Sequence, residues 1–211
     1  MSYTLLKDRI AKKLLTSPKV GKRYSAAIIA CILDLDEEDV YNNLEYIHPE
    51  VSSNANIVNS ESDVVFMNDD NYINIEINLS KGYASDVKNG TYIAHLYLKQ
   101  LKSSEDYNRI KKVIQINLNA YDYFGKSEFL YHSILTDTRY HLVRNSNIEI
   151  FDISLPILGK IDYNDIMNER ERLEKLLYVF VCSDDEFLNE LYSQQTKVQY
   201  EYLKHVYQLQ E

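Results

Sequence analysis

The chain has 211 residues, 45% hydrophobic and 26% charged, which is enough apolar material for one sizeable core and too much for a disordered chain. The net charge of −9 argues against a phosphate-binding surface over the whole molecule, because nonspecific nucleic-acid affinity comes from basic patches. No apolar run reaches membrane-spanning length, and "YSAAIIACILDL", from Tyr24 to Leu35, comes nearest. The N-terminal residues lack a signal-peptide cleavage pattern. Cys31 and Cys182 sit in apolar, helix-like contexts and read as buried thiols in a reducing compartment. The expected location is therefore cytoplasmic, with no membrane partner. The His and Cys positions suggest neither a zinc site nor a catalytic triad.

In chain order, residues 3–15 carry a helical stripe of Leu5, Leu6, Ile10, Leu14 and Leu15. "SPKVG" breaks it, and residues 23–33 read as a second, more buried helix. "LDEEDVYNNLEYI" predicts a third, with acids where the helix dipole favours them. A short strand is expected over 54–59, then two strands around Asn68–Asn71. Residues 85–102 predict a long helix. "KKVIQINLNAY", "FLYHSILTD" and "NIEIFDISL" predict strands, and from Asn164 onward the pattern is helical. The expected fold is α/β: a mixed sheet flanked by helices. Residues 1–160 would form the core with its N-terminal helices, and 161–211 a C-terminal helical extension packed on it.

The chemistry centres on "SDVVFMNDDNYINIEINLS". Ile73, Ile75, Ile77 and Leu79 alternate with Asn74, Glu76 and Asn78, so one strand face is apolar and the other carries a carboxylate between two amides. Asn68-Asp69-Asp70-Asn71 has the residue types of a tight turn. If Asp69 and Asp70 are the loop, Asp63 stands opposite Glu76, with side-chain roots about 5 Å apart. Two carboxylates so placed repel, and a hard divalent cation offsets that repulsion; Mg²⁺ prefers such oxygen donors. The backbone carbonyl of Ile77 is a further candidate donor, and Asn78 is placed to donate to a water or a phosphate oxygen. The alternative is a hairpin whose polar face is simply wet.

"DVVFMNDDNYINIEINLSKGY" followed by "KNGTYIAHLYLKQLKSSEDYNRIKKVIQINLNAY" resembles the PD-(D/E)XK nuclease superfamily. The likeness is greatest to its family transposases, which are related to recombination-promoting nucleases of bacteria and phages. It rests on residues 45–121. It implies a restriction-endonuclease-like central mixed sheet, with Asp63 and Glu76 as metal-binding acids and Mg²⁺ or Mn²⁺ as the cofactor. Asn78 stands where the superfamily has Lys, and Lys88-Asn89 with Tyr92 matches R-N-x-x-Y, with Lys in place of Arg. Glu50 is the candidate for one more acid, with Glu45 in reserve. Asn78 carries no positive charge, so transition-state charge must be met by the metal or from elsewhere; Lys81, Lys111 and Lys112 are near in sequence. The helical region after Asn164 has no counterpart in these motifs.

Two readings follow. One is a Mg²⁺-dependent DNA endonuclease with Asp63, Glu76 and Asn78 at its reacting centre and Lys81, Lys88, Asn89, Tyr92, Lys111 and Lys112 toward the nucleic acid. The other is a nuclease-fold binding protein without the chemistry, for example a phage-encoded partner of a host defence complex. A homodimer through the apolar stripe of the C-terminal helices is compatible with either.

Overall fold

The computed structural model describes residues 8–18, 20–47, 64–101 and 107–181. They divide into two compact units, Glu45–Ser154 and a second made of Met1–Leu44 with Leu155–Glu211. This grouping differs from a division at residue 160: the N-terminal helices cluster with the helices that follow the last strand.

The helical unit contains α1 (Asp8–Thr16), α2 (Val20–Leu33), α3 (Glu37–Asn43), α5 (Leu155–Leu158), α6 (Tyr163–Glu169) and α7 (Arg172–Tyr178). Gly21 lets α2 approach α1, since a Cβ there would lie 2.5 Å from the Leu14 carbonyl oxygen. Ser25 donates to the carbonyl of Leu15 at 2.9 Å, and the Tyr24 hydroxyl donates to that of Leu176 at 2.6 Å. Asp36 caps α3 by accepting from the Asp39 amide. The third predicted helix is shorter than expected, because Glu45–Ile47 leaves it to become strand β1; Tyr46 and Ile47 suit a strand, and β2 offers them a ladder. The expected strand at 54–59 and the C-terminal helical stretch beyond Val181 lie outside the described residues. No described helix is long and apolar enough to cross a membrane.

Among the described residues, the other unit is a six-stranded mixed sheet in the order β1-β2-β3-β4-β6-β5, with one long helix, α4 (Tyr83–Lys99). Its strands are β1, β2 (Val64–Met67), β3 (Asn71–Asn78), β4 (Lys112–Asn119), β5 (Leu130–Thr136) and β6 (Val143–Ser154). β2 and β3 form the expected hairpin: Val64 faces Ile75, and Met67 faces Tyr72. That is the register a two-residue Asp69–Asp70 loop demands. The Asn68 side-chain oxygen holds the loop by accepting from the amides of Asp70 and Asn71. β3, β4 and β6 run parallel, with α4 as the crossover from β3 to β4.

The two faces of the sheet differ. Val64, Phe66, Ile73, Ile75, Ile77, Ile114, Ile116 and Leu118 make an apolar, buried stretch of one face, with Lys112 and Glu149 on the same face at one end of it. On the other face, Ile93 and Leu96 of α4 pack on Val65 and Val113, with Tyr72, Ile148 and Ile150 around them. Farther along β3, β4 and β6, toward their C-terminal ends, that same face turns polar.

Candidate active site

The polar region follows from alternation. β3 offers Asn74, Glu76 and Asn78; β4 offers Gln115, Asn117 and Asn119; β6 offers Asp152 and Ser154. The parallel register sets them in rows. Asn74 lies beside Gln115; Glu76 lies beside Asn117, which lies beside Asp152; and Asn78 lies beside Asn119, which lies beside Ser154. A wet hairpin face is therefore the wrong picture: Glu76 is 0% exposed and Asp152 3%. Buried polar groups this dense persist only when hydrogen-bonded.

The bonds form one continuous chain. Asn74 Nδ2 donates to Glu76 Oε1 at 3.1 Å and to Gln115 Oε1 at 2.9 Å. Gln115 Nε2 donates to Asn117 Oδ1 at 2.8 Å, and Asn117 Nδ2 donates to Asp152 Oδ1 at 2.9 Å. From the other side, Asn78 Nδ2 donates to Asn119 Oδ1 at 3.1 Å, and Asn119 Nδ2 donates to the same Asp152 oxygen at 3.1 Å. Burial pushes the Asp152 carboxyl above the usual carboxylate range, against the pull of its two amide donors, and the charge of Asp86 adds to the rise.

Glu76 also has a cation. Lys88, from the N-terminal half of α4, places its Nζ 2.9 Å from Glu76 Oε2 and 5.2 Å from the centre of the Tyr92 ring. The helix runs back over the strands, so Lys88 and Asn89 lie at the polar end and Ile93 and Leu96 at the apolar end. Asn89 is 7% exposed, and its side-chain oxygen has no hydrogen-bond partner among the described residues.

A rim forms where the strands end. Lys81 donates to the backbone carbonyl of Tyr123. The Tyr123 hydroxyl donates to Asp86 at 2.8 Å; burial and then that bond hold its phenol above the ordinary range. Asp122 ties the loop after β4 by accepting from the amides of Gly125 and Ser127 and from the Tyr131 hydroxyl. Tyr121 and Tyr123 stack, with centroids 6.5 Å apart.

The structure thus brings Glu76, Asn78, Lys88, Asn89 and Tyr92 into one region, with Lys81 at its rim. Lys111 and Lys112 lie elsewhere. Lys111 Nζ donates to the Asn68 carbonyl, and Lys112 pairs with Glu149 at 2.7 Å. Both sit at the start of β4, and Lys112 is five residues, or about 16 Å, from Asn117, which neighbours Glu76. Glu45 is exposed, opposite Met67 at the hairpin end of the sheet, away from Glu76. Asp63 and Glu50 lie outside the described residues. Among the described residues no three His, Cys, Asp or Glu side chains converge as a metal group. Gln115, Asn117, Asn119 and Asp152 are functional candidates that sequence reasoning did not single out. A signal for the β4 amides existed, since "QINLN" repeats the alternation of "NIEIN"; for Asp152 there was none.

A family model described as a PD-(D/E)XK nuclease family transposase matches residues 6–209. The match runs well beyond the stretch whose motifs carry the resemblance and includes the C-terminal region. Neither the curated proteins nor the solved structures give a match to the chain.

Proposed function

The chain belongs to the PD-(D/E)XK nuclease family transposases, and from that premise we propose that it is a divalent-cation-dependent endonuclease acting on DNA phosphodiesters. One observation carries the reading: a carboxylate with no solvent exposure, Glu76, held at the C-terminal end of a parallel strand with a cation already beside it. Isolated buried carboxylates are costly, so this position demands positive charge.

The donor chemistry fits a hard cation. Glu76, the Ile77 carbonyl and the Asn78 amide oxygen are all oxygens, as Mg²⁺ and Mn²⁺ prefer. Asp63 is the proposed second acid, on the sequence argument for a two-residue Asp69–Asp70 loop, and Glu50 is the candidate third. Such a cation, when bound, supplies a more acidic water and charge for the phosphate oxygens. The chain's own groups do the rest. Asn74 holds Glu76 through Oε1 and leaves Oε2 toward the helix. Asn78, fixed by Asn119, orients the water. Lys88 supplies the positive charge that a strand lysine gives the superfamily and Asn78 lacks. Lys81 faces the nucleic acid, with Tyr121 and Tyr123 as stacking surfaces, while Asn89 and Tyr92, both buried, act from beneath. Lys111 and Lys112 have a place in this reading only as distant backbone contacts.

A second reading has its own support. The Lys88–Glu76 pair neutralises the acid without any metal, as suits a nuclease-fold protein that binds a partner in a defence or counter-defence complex. Plasmid nicking with Mg²⁺ and Mn²⁺, together with Mn²⁺ calorimetry, separates the two. The native chain should nick DNA, and Glu76→Gln and Asp63→Ala should each lose at least about a hundredfold in rate. Undiminished cleavage by Glu76→Gln ends the assignment. Absence of both cleavage and Mn²⁺ binding selects the second reading.

A further inference from the structure

We propose that Asp152 is a positioning residue that sets the polarity of the buried amide chain, and through it the orientation of Asn74 and Asn78 around Glu76. Apart from the bond Asn74 gives Glu76, every donor in the chain points toward Asp152: Asn117 and Asn119 both give their Nδ2 to its Oδ1. An amide has a donor end and an acceptor end. Once Asn117 and Asn119 give their donors to the carboxylate, each must show its oxygen to the next residue. Gln115 must therefore donate to Asn117, and Asn78 must donate to Asn119. Gln115 in turn shows its oxygen to Asn74, which spends its Nδ2 on Gln115 and Glu76 together.

The chain carries a mark of this constraint. Asn74 Oδ1 is buried with no hydrogen-bond partner among the described residues. Turning Asn74 over would set that oxygen against Glu76 Oε1 and take its Nδ2 away from both acceptors it now shares, so the two carboxylates impose the same direction from the two ends of this arm. The acceptor stays unpaired because the donor end of its amide is held by Glu76 and by Gln115, and Gln115 presents its oxygen there because its own donor is given to Asn117, which gives its donor to Asp152. The same reversal in the Asn119 arm would turn Asn78 over and present its NH₂ where its oxygen now lies. Asp152 touches neither Glu76 nor Asn78; it lies two strands from Glu76, about 10 Å away, and acts only through the amides between them.

The polarity stands on the geometry alone, and its effect on catalysis rests on the nuclease reading. The test uses the full chain, ¹⁵N-labelled, with side-chain amide signals assigned by substitution. Asp152→Asn keeps the shape and removes the charge. It should move the Asn74 and Asn78 side-chain signals. In cleavage it should lower kcat or Mn²⁺ affinity roughly tenfold to a hundredfold, as loss of an outer partner does, with KM for DNA unchanged. Asn119→Ser interrupts one arm only and should move Asn78 while leaving Asn74 in place. Signals of Asn74 and Asn78 unmoved in Asp152→Asn overturn the proposal whatever the activity. Signals that move as stated in a protein that neither cleaves DNA nor binds Mn²⁺ uphold it and remove the nuclease reading instead.

Discussion

The sheet face beneath α4 has two halves built by opposite means. At the start of β3 and β4, Val65, Val113, Ile93 and Leu96 bury aliphatic surface, worth about 1.5–3 kcal/mol for each large side chain. At the other end of the same strands, two carboxylates and five amides fill the equivalent places. There each hydrogen bond nets only about 0.5–1.5 kcal/mol, yet each one left unmade costs about 1–3. The apolar half can lose a methyl and stay ordered. The polar half is satisfied only as a whole. One end of the strands thus secures the fold, and the other spends stability on a fixed arrangement of charge and dipoles.

Three changes test that contrast. Ile93→Ala, in the apolar half, should cost about 2–5 kcal/mol in urea unfolding while leaving cleavage per folded molecule at the native level. A comparable loss of specific activity would mean that the two halves are not separable. Lys88→Met reaches into the polar half. It strips Glu76 of its ammonium, and because Lys88 is itself 37% exposed, the loss should be smaller, about 1–2 kcal/mol in metal-free buffer. Added Mn²⁺ should return most of the lost melting temperature, since either cation answers the same carboxylate. A melting temperature indifferent to Mn²⁺ would place the cation demand elsewhere. The smallest effect is expected at the rim. Amide donors from Ser127 and Gly125 and the Tyr131 hydroxyl hold the Asp122 carboxyl below its ordinary range. A folded-state value below the unfolded one adds stability above the unfolded pKa and loses it as pH falls through the folded value. Asp122→Ala should therefore melt slightly lower than native at neutral pH. The gap should close below about pH 4.

How far the sequence reached is clearest at β3. The Asn-Asp-Asp-Asn turn dictates a two-residue loop, and that loop dictates the register found at Val64–Ile75. Local chemistry sufficed because the partners are neighbours along the chain. It also gave α4 and β4 within three residues, since their periodicities are strong. The burial of the polar face was not legible, because it depends on what the fold lays over and beside a strand. Lys88 is one helix face among several until α4 is laid back across β3. Asp152 sits in "NIEIFDISL" as one acid in an alternating strand, and nothing local says that β6 inserts between β4 and β5. β1 was hidden for a related reason: Glu45–Ile47 becomes a strand only through β2, after an intervening stretch of chain.

That insertion has a consequence for how the protein is made. The strand carrying Asp152 is the last of the sheet to leave the ribosome, more than seventy residues after Glu76. A nascent chain therefore displays Glu76 well before Asp152, the carboxylate to which Asn117 and Asn119 donate. During synthesis, a premature stop between β4 and that strand would leave a polypeptide with Glu76, Lys88 and the β4 amides but without the carboxylate that Asn117 and Asn119 bond.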